Sequence, residues 1–224
     1  MTELMKIRDG ITRLFTSGLE CREATAEKYR SFSYPRHIRL MRFDVQKQRI
    51  DGFGSLMTML TDTVFGMQLL TCSFMPFEGA GVPYLLIDVM VMKNKRTVFV
   101  EYYDCTQANA AQPLLEKVCE KYCLVNDYDE KDAWYVSERT GYSLIKSLDP
   151  RGNRHELSRL IADSVRAYKR SALGAEKCSE NLRGLLRFRE RMMNEGNPSS
   201  AVLEKVFGKE GAREFFKSCV MPES

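Results

Sequence analysis

The sequence predicts an α+β fold in which helices cover an antiparallel sheet. Three observations lead there. Between residues 56 and 103, apolar runs rich in β-branched and aromatic residues follow one another closely. The connections between them are too short for parallel crossovers, which need a dozen residues or more. From residue 111 onward the apolar spacing lengthens to that of helices. Strands first and helices after is the pattern of segregated layers. With no repeat, low-complexity stretch or evident linker, residues 1–224 read as a single domain.

The centre of the chain is 65–107. Strands are expected at 67–75, ending at Pro76, at 84–93 and at 97–103. Gly79, Gly81 and Pro83 separate the first two, and Lys93-Asn94-Lys95-Arg96 makes a tight polar turn between the last two. Residues 56–65 alternate well enough for another strand. Ahead of these, 2–18 is an amphipathic helix with Leu4, Ile7, Ile11, Leu14 and Phe15 on one stripe, stopped by Gly18. Two strands are expected at 38–45 and 48–53.

After the strands, 111–122 is helical and 126–132 is an acidic loop. Short extended pieces are expected at 133–136 and 142–145, then a turn at Asp149-Pro150-Arg151-Gly152-Asn153. Helices follow at 155–169 and 174–195, the second ended by Gly196-Asn197-Pro198. A helix at 199–207 opens on Ser199 and Ser200 as caps and stops at Gly208, and 210–218 closes the chain.

A chain of 224 residues can bury a sizeable core, about 70% of its unfolded surface. Its 34 basic and 30 acidic residues leave a net charge of only +4. That argues against a strong nucleic-acid binder and leaves room for a local basic patch. No apolar run approaches a membrane span, about 20 residues. The segment Met1-Thr2-Glu3-Leu4 lacks the features of a secretory signal. Seven cysteines without paired spacing read as free thiols in a reducing compartment. Cys119 and Cys123 share a helical face, but with only His37 and His155 as further nitrogen ligands no metal site is expected.

Phosphate-binding glycine loops, dinucleotide fingerprints and nucleophile elbows are missing. Asp88 stands out instead, flanked by Leu85, Leu86, Ile87, Val89 and Met90. A carboxylate on a buried strand has a raised pKa and is suited to donating a proton. The plainer reading is that Asp88 points to solvent or caps a buried backbone group. Arg183, Arg187, Arg189 and Arg191 could hold a ligand's carboxylates, or simply form a solvated face. Met57, Met59, Met67, Met75, Met90 and Met92 read as an adaptable apolar wall or as core.

The sequence also resembles the ferredoxin-dependent bilin reductases, most closely the phycocyanobilin:ferredoxin oxidoreductase branch. The resemblance rests on Leu69-Leu70-Thr71-Cys72-Ser73-Phe74-Met75-Pro76, then Val82-Pro83, then Ile87-Asp88-Val89, then the strand ending at Tyr103. It continues in Asn197-Pro198-Ser199-Ser200, the short helix up to Gly208 and a last helix. These parts cover residues 55–107 and 155–220.

The resemblance implies a three-layer α/β/α sandwich with a central antiparallel sheet. A linear tetrapyrrole such as biliverdin would lie between the sheet and the C-terminal helices. It implies an oxidoreductase that takes single electrons from ferredoxin, holds no bound cofactor or metal, and draws protons from the pocket. Partners would be the tetrapyrrole and ferredoxin, with no nucleic acid or membrane. The compartment would be cytoplasmic, or the plastid stroma in a eukaryote. The family's strand aspartate maps to Asp88 as the catalytic acid. Its histidine maps to Thr71, its preceding-strand glutamate near Met59 and its turn aspartate to Asn197. Thr71, Asn197 and Met59 are thereby expected to contact the substrate, and Met90, from the methionine wall, is expected to contact it with them. The alternative is a non-catalytic tetrapyrrole-binding protein on the same fold.

Overall fold

The computed structural model describes residues 2–77, 80–105, 112–130, 132–152, 154–176, 179–197 and 199–222. Expectations that fall on Gly79, Gln107, Ala111, Asn153 and Pro198 lie outside the described residues.

Helix α1 spans Glu3–Thr16, with the Thr2 hydroxyl accepting from the Met5 amide, and Gly18 follows with φ +74°. The long strands are β3 (Met41–Ile50), β4 (Gly54–Thr63), β5 (Gln68–Pro76), β6 (Tyr84–Met92) and β7 (Lys95–Tyr103). Short strands β1 (Cys21–Glu23) and β2 (Ser31–Tyr34) both pair with β3, and β8 (Leu144–Leu148) pairs with β7. Each neighbouring pair is antiparallel, in the order β1-β3-β4-β5-β6-β7-β8. The other helices are α2 (Glu27–Arg30), α3 (Pro113–Lys121), α4 (Arg154–Leu173), α5 (Ser179–Asn194) and α6 (Ser200–Phe215).

The expected α+β class is the observed one, and so is the three-layer arrangement. Leu56, Leu70, Phe74, Ile87, Val98 and Val100 point to one face, under α1, α3 and α4. Met57, Met59, Met75, Tyr84, Leu86 and Tyr103 point to the other, under α5, α6 and the C-terminal segment. Strand alternation sends successive residues to opposite layers, so both faces of β4–β7 are apolar and read as nearly continuous runs.

The first layer is pinned at its ends. Phe15 stacks on Phe74 with ring centroids 4.6 Å apart, and Tyr168 meets Phe74 edge-on at 5.6 Å. The Tyr168 hydroxyl donates to the Pro83 carbonyl at 2.7 Å, fixing the approach to β6. Lys169 closes the C-terminus of α1 by donating to Leu14 and Ser17 carbonyls.

Several expectations are corrected. The strands expected at 38–45 and 48–53 are one strand, Met41–Ile50, continuously paired with β4. Ile38 lies before it and Asp51-Gly52 turns after it. Residues expected to be extended at 133–136 begin a 3₁₀ helix, Trp134–Glu138. The short strand at 142–145 is displaced to Leu144–Leu148. Gly208, with φ +73°, breaks the run that is otherwise continuous helix from Ser200 to Phe215, as the sequence predicts. Ser199 makes no side-chain cap; the Ser200 hydroxyl accepts from the Asn197 amide instead.

A candidate proton-donating site on a methionine-lined sheet face

The two-residue turn Lys93-Asn94 sets the register that builds the site. It pairs Met92 with Lys95, so Asp88 stands opposite Phe99 and Leu86 opposite Glu101. On the other side Asp88 stands opposite Thr71, Thr71 opposite Met59, and Met59 opposite Val45. One row thus crosses the sheet at the level of Asp88, on the face covered by the C-terminal helices.

The Thr71 hydroxyl donates to Asp88 Oδ1 at 2.5 Å. Burial pushes the Asp88 carboxyl up to about 6, against the lowering effects of the Thr71 hydrogen bond and the Arg139 charge. A carboxyl in that range still holds a proton in part of the population near neutrality. It can therefore act as an acid there, which an ordinary aspartate cannot.

Asp88, Thr71 and Met59 line a small cavity together with Tyr84, Met192 and Leu203. Asn197 lines it too, from the connection between α5 and α6. Its amide is already engaged: Nδ2 donates to the Met192 carbonyl at 3.1 Å, and Oδ1 accepts from the Ser199 amide at 3.0 Å. Asn197 therefore closes one helix and opens the next while showing its side chain to the cavity. Met90 does not line this cavity. It lies one step further along the same face, half-buried, where the helices no longer cover the sheet.

The six methionines singled out in the sequence divide along that face. Met57, Met59 and Met75 are buried beneath the helices, whereas Met67, Met90 and Met92 are half-buried at the uncovered end. An open hollow of about 780 Å³ lies there, lined by Tyr34, Met41, Phe65, Met67 and Met92 among others. The cavity at Asp88 is only about 30 Å³, the size of one water molecule.

A second acid was not anticipated. Glu101 lies on β7, on the same face and diagonal to Asp88. It is 4% exposed, pairs with Arg139 and accepts from the Tyr103 hydroxyl at 3.0 Å. Burial pushes it up to about 7, against Arg139 and reinforced by the nearby Asp88 charge. Arg139 also pairs with Glu130, so one buried guanidinium serves two carboxylates.

The late arginines separate by burial. Arg189 is 4% exposed and reaches the Met221 carbonyl. Arg191 lies over the Trp134 ring and pairs with Glu138 and Glu195. Arg183 is exposed beside Glu180. No group of three or more His, Cys, Asp or Glu side chains arranged to hold a metal occurs among the described residues.

No family model matches the sequence, and no curated protein matches it. Among solved structures, the chain superposes on a crystal structure of selenomethionyl phytochromobilin synthase from tomato in complex with biliverdin. The TM-score is 0.77 and the identity 12%, over 96% of this chain and 81% of that one. The fold is that of phytochromobilin synthase. At this identity the likeness is one of architecture. On the phytochromobilin synthase fold, this chain puts a raised-pKa aspartate on a sheet face under the C-terminal helices, between a covered methionine wall and an open one.

Proposed function

We propose that the protein binds a linear tetrapyrrole on the Asp88 face and reduces it with electrons from ferredoxin. The observation that carries this reading is Asp88 itself. It is a carboxyl held up to about 6 by burial and hydrogen-bonded to Thr71, on a methionine-rich face that it shares with Glu101, in a fold shared with a biliverdin complex.

Reducing one double bond takes two electrons and two protons. Ferredoxin delivers the electrons one at a time, and Asp88 supplies a proton to the reduced radical, which becomes more basic as it gains charge. In this reading Glu101 returns a proton to Asp88 between the two transfers. Thr71 keeps the carboxyl oriented, and Met59 and Met90 supply polarisable apolar contact to the pyrrole rings. Asn197 orients the ligand by exchanging one of its local hydrogen bonds. No bound cofactor or metal is needed.

An acidic electron donor finds a basic surface at Arg36, Arg39 and Arg42, beside the start of β3. These side chains are exposed, and none of the three is ion-paired among the described residues. The six described cysteines are free thiols, which suits a reducing compartment such as cytoplasm or plastid stroma.

The test is an absorption titration with biliverdin, followed by reduced ferredoxin without oxygen. A shifted long-wavelength band and then a blue-shifted product are expected. No shift would overturn the reading. A shift that reduced ferredoxin leaves unchanged would establish the second reading, a tetrapyrrole carrier. Met59 and Asn197 favour that reading, because neither can donate a proton as an acid.

A further inference from the structure

The cavity beside Asp88, about 30 Å³, is far smaller than the roughly 300–1,000 Å³ of ordinary ligand sites. Part of what closes it is the chain's own C-terminal segment. Helix α6 runs into a wide turn, Phe216–Val220, and Phe216 and Val220 line the cavity. Cys219 and Met221 are 2% and 0% exposed.

Apolar burial accounts for the segment's lying down, but not for its polar contacts. Donors from three separate elements end on its carbonyls. Lys47 Nζ, from β3, donates to the Ser218 carbonyl at 2.6 Å. Ser73 Oγ, from β5, donates to the Val220 carbonyl at 2.6 Å. Arg189 Nη1, from α5, donates to the Met221 carbonyl at 3.4 Å, and Arg189 also reaches Glu190 at 3.5 Å. A serine has one proton to give. With that proton on Val220, the Tyr84 hydroxyl 2.9 Å away must donate to Ser73. A relay of hydroxyls therefore ends on the segment's backbone.

Lys47 has no carboxylate partner among the described residues, and burial lowers its pKa. A neutral carbonyl is a weak partner for a half-buried cation, whereas a carboxylate gives a charge-assisted bond about twice as strong. Two cations and a hydroxyl converging on carbonyls match a ligand that carries two carboxylates.

We propose that Lys47, Ser73 and Arg189 form a carboxylate-binding subsite, that residues 216–221 occupy it with their own carbonyls, and that a dicarboxylate ligand binds by displacing them. The ligand class rests on the tetrapyrrole reading above; its two propionates are the dicarboxylate. Displacement also uncovers Asp88, so the ligand's acid groups open the site for its rings.

The experiment compares biliverdin with its dimethyl ester, using the full chain and absorption titration. The wild type is expected to prefer the diacid by about tenfold or more, the gain from one charge-assisted contact. The preference should fall to near one in the Lys47→Met, Arg189→Met double variant. Alkylation of Cys219, mapped by mass spectrometry, should speed up at least about tenfold on adding biliverdin, with exposed Cys21 and Cys123 as internal references. Biliverdin binding with Cys219 still protected, or an unchanged acid-to-ester preference in the double variant, would overturn this proposal alone. Absence of any binding would overturn the tetrapyrrole reading and this proposal with it.

Discussion

Thr71 and Asp88 face each other across the β5–β6 pair, and the Thr71 hydroxyl holds Asp88 Oδ1 at 2.5 Å. That bond favours the ionised carboxylate while burial disfavours it, and burial prevails. Replacing Thr71 by valine keeps the shape and removes the donor. The Asp88 carboxyl should then titrate above its present value of about 6, and a carboxyl-resolved NMR titration reads the change directly.

Asp88 should also cost stability. Its folded pKa of about 6 exceeds the ordinary value of 3.8. Between those values the folded state binds more protons than the unfolded state, so stability falls as pH rises through the window and stays low above it. Asp88→Asn removes this dependence. Above pH 6 the variant should be more stable than the wild type by about 2–3 kcal/mol, as denaturant unfolding at pH 4 and pH 8 would measure.

Arg139 neutralises Glu101 and Glu130 together. Arg139→Met should destabilise by roughly 3–5 kcal/mol, because Glu101 and Glu130 lose their shared cation and Glu101 must take up a proton to stay buried. A second change, Glu101→Gln, should recover much of the loss. Unfolding curves of the two single variants and the pair form the double-mutant cycle that tests this.

Gly54 sits where a side chain has no room. A Cβ there would lie 2.5 Å from the Phe74 ring and 2.6 Å from the Met75 carbonyl. The ring is held by Phe15 and Phe53 and cannot retreat. Gly54→Ala should cost about 1–3 kcal/mol of stability, visible as a lower denaturation midpoint with an unchanged slope.

Reversing charge at Arg36, Arg39 and Arg42 should slow electron delivery by about tenfold or more at low ionic strength, with the difference shrinking as salt rises. Bilin affinity should stay the same, since these arginines lie away from the Asp88 cavity. Stopped-flow reduction at two salt concentrations checks both halves of the prediction.

Much of the fold was legible because the strands here announce themselves. Apolar runs bounded by Gly, Pro and polar turns gave β4 through β7 to within about two residues, and their short connections gave the antiparallel order. The region before β3 was harder. Strand β1 is exposed and polar, and β2, with Phe32 and Tyr34 half-buried between serines, is only four residues long, so neither carries a hydrophobic period long enough to mark it. Residues 133–136 suggest a strand because aromatic and β-branched types suit one, while the local hydrogen bonds make a 3₁₀ turn.

Asp88 was visible as an acid inside an apolar strand. Glu101 was equally present in the sequence, and one step of register would have found it. A two-residue turn at Lys93-Asn94 pairs positions 88 and 99, and alternation then puts 101 on the same face. Arg139 and the C-terminal carbonyls could not be found that way, since they reach the face from distant parts of the chain.

The most direct measurement is the single-turnover reduction of bound biliverdin by reduced ferredoxin, without oxygen, in the wild type and in Asp88→Asn. Both proteins should bind the pigment with shifted spectra, and the variant should form product at least about a hundredfold more slowly. Equal rates in the two proteins, with biliverdin bound in both, would contradict the role given to Asp88.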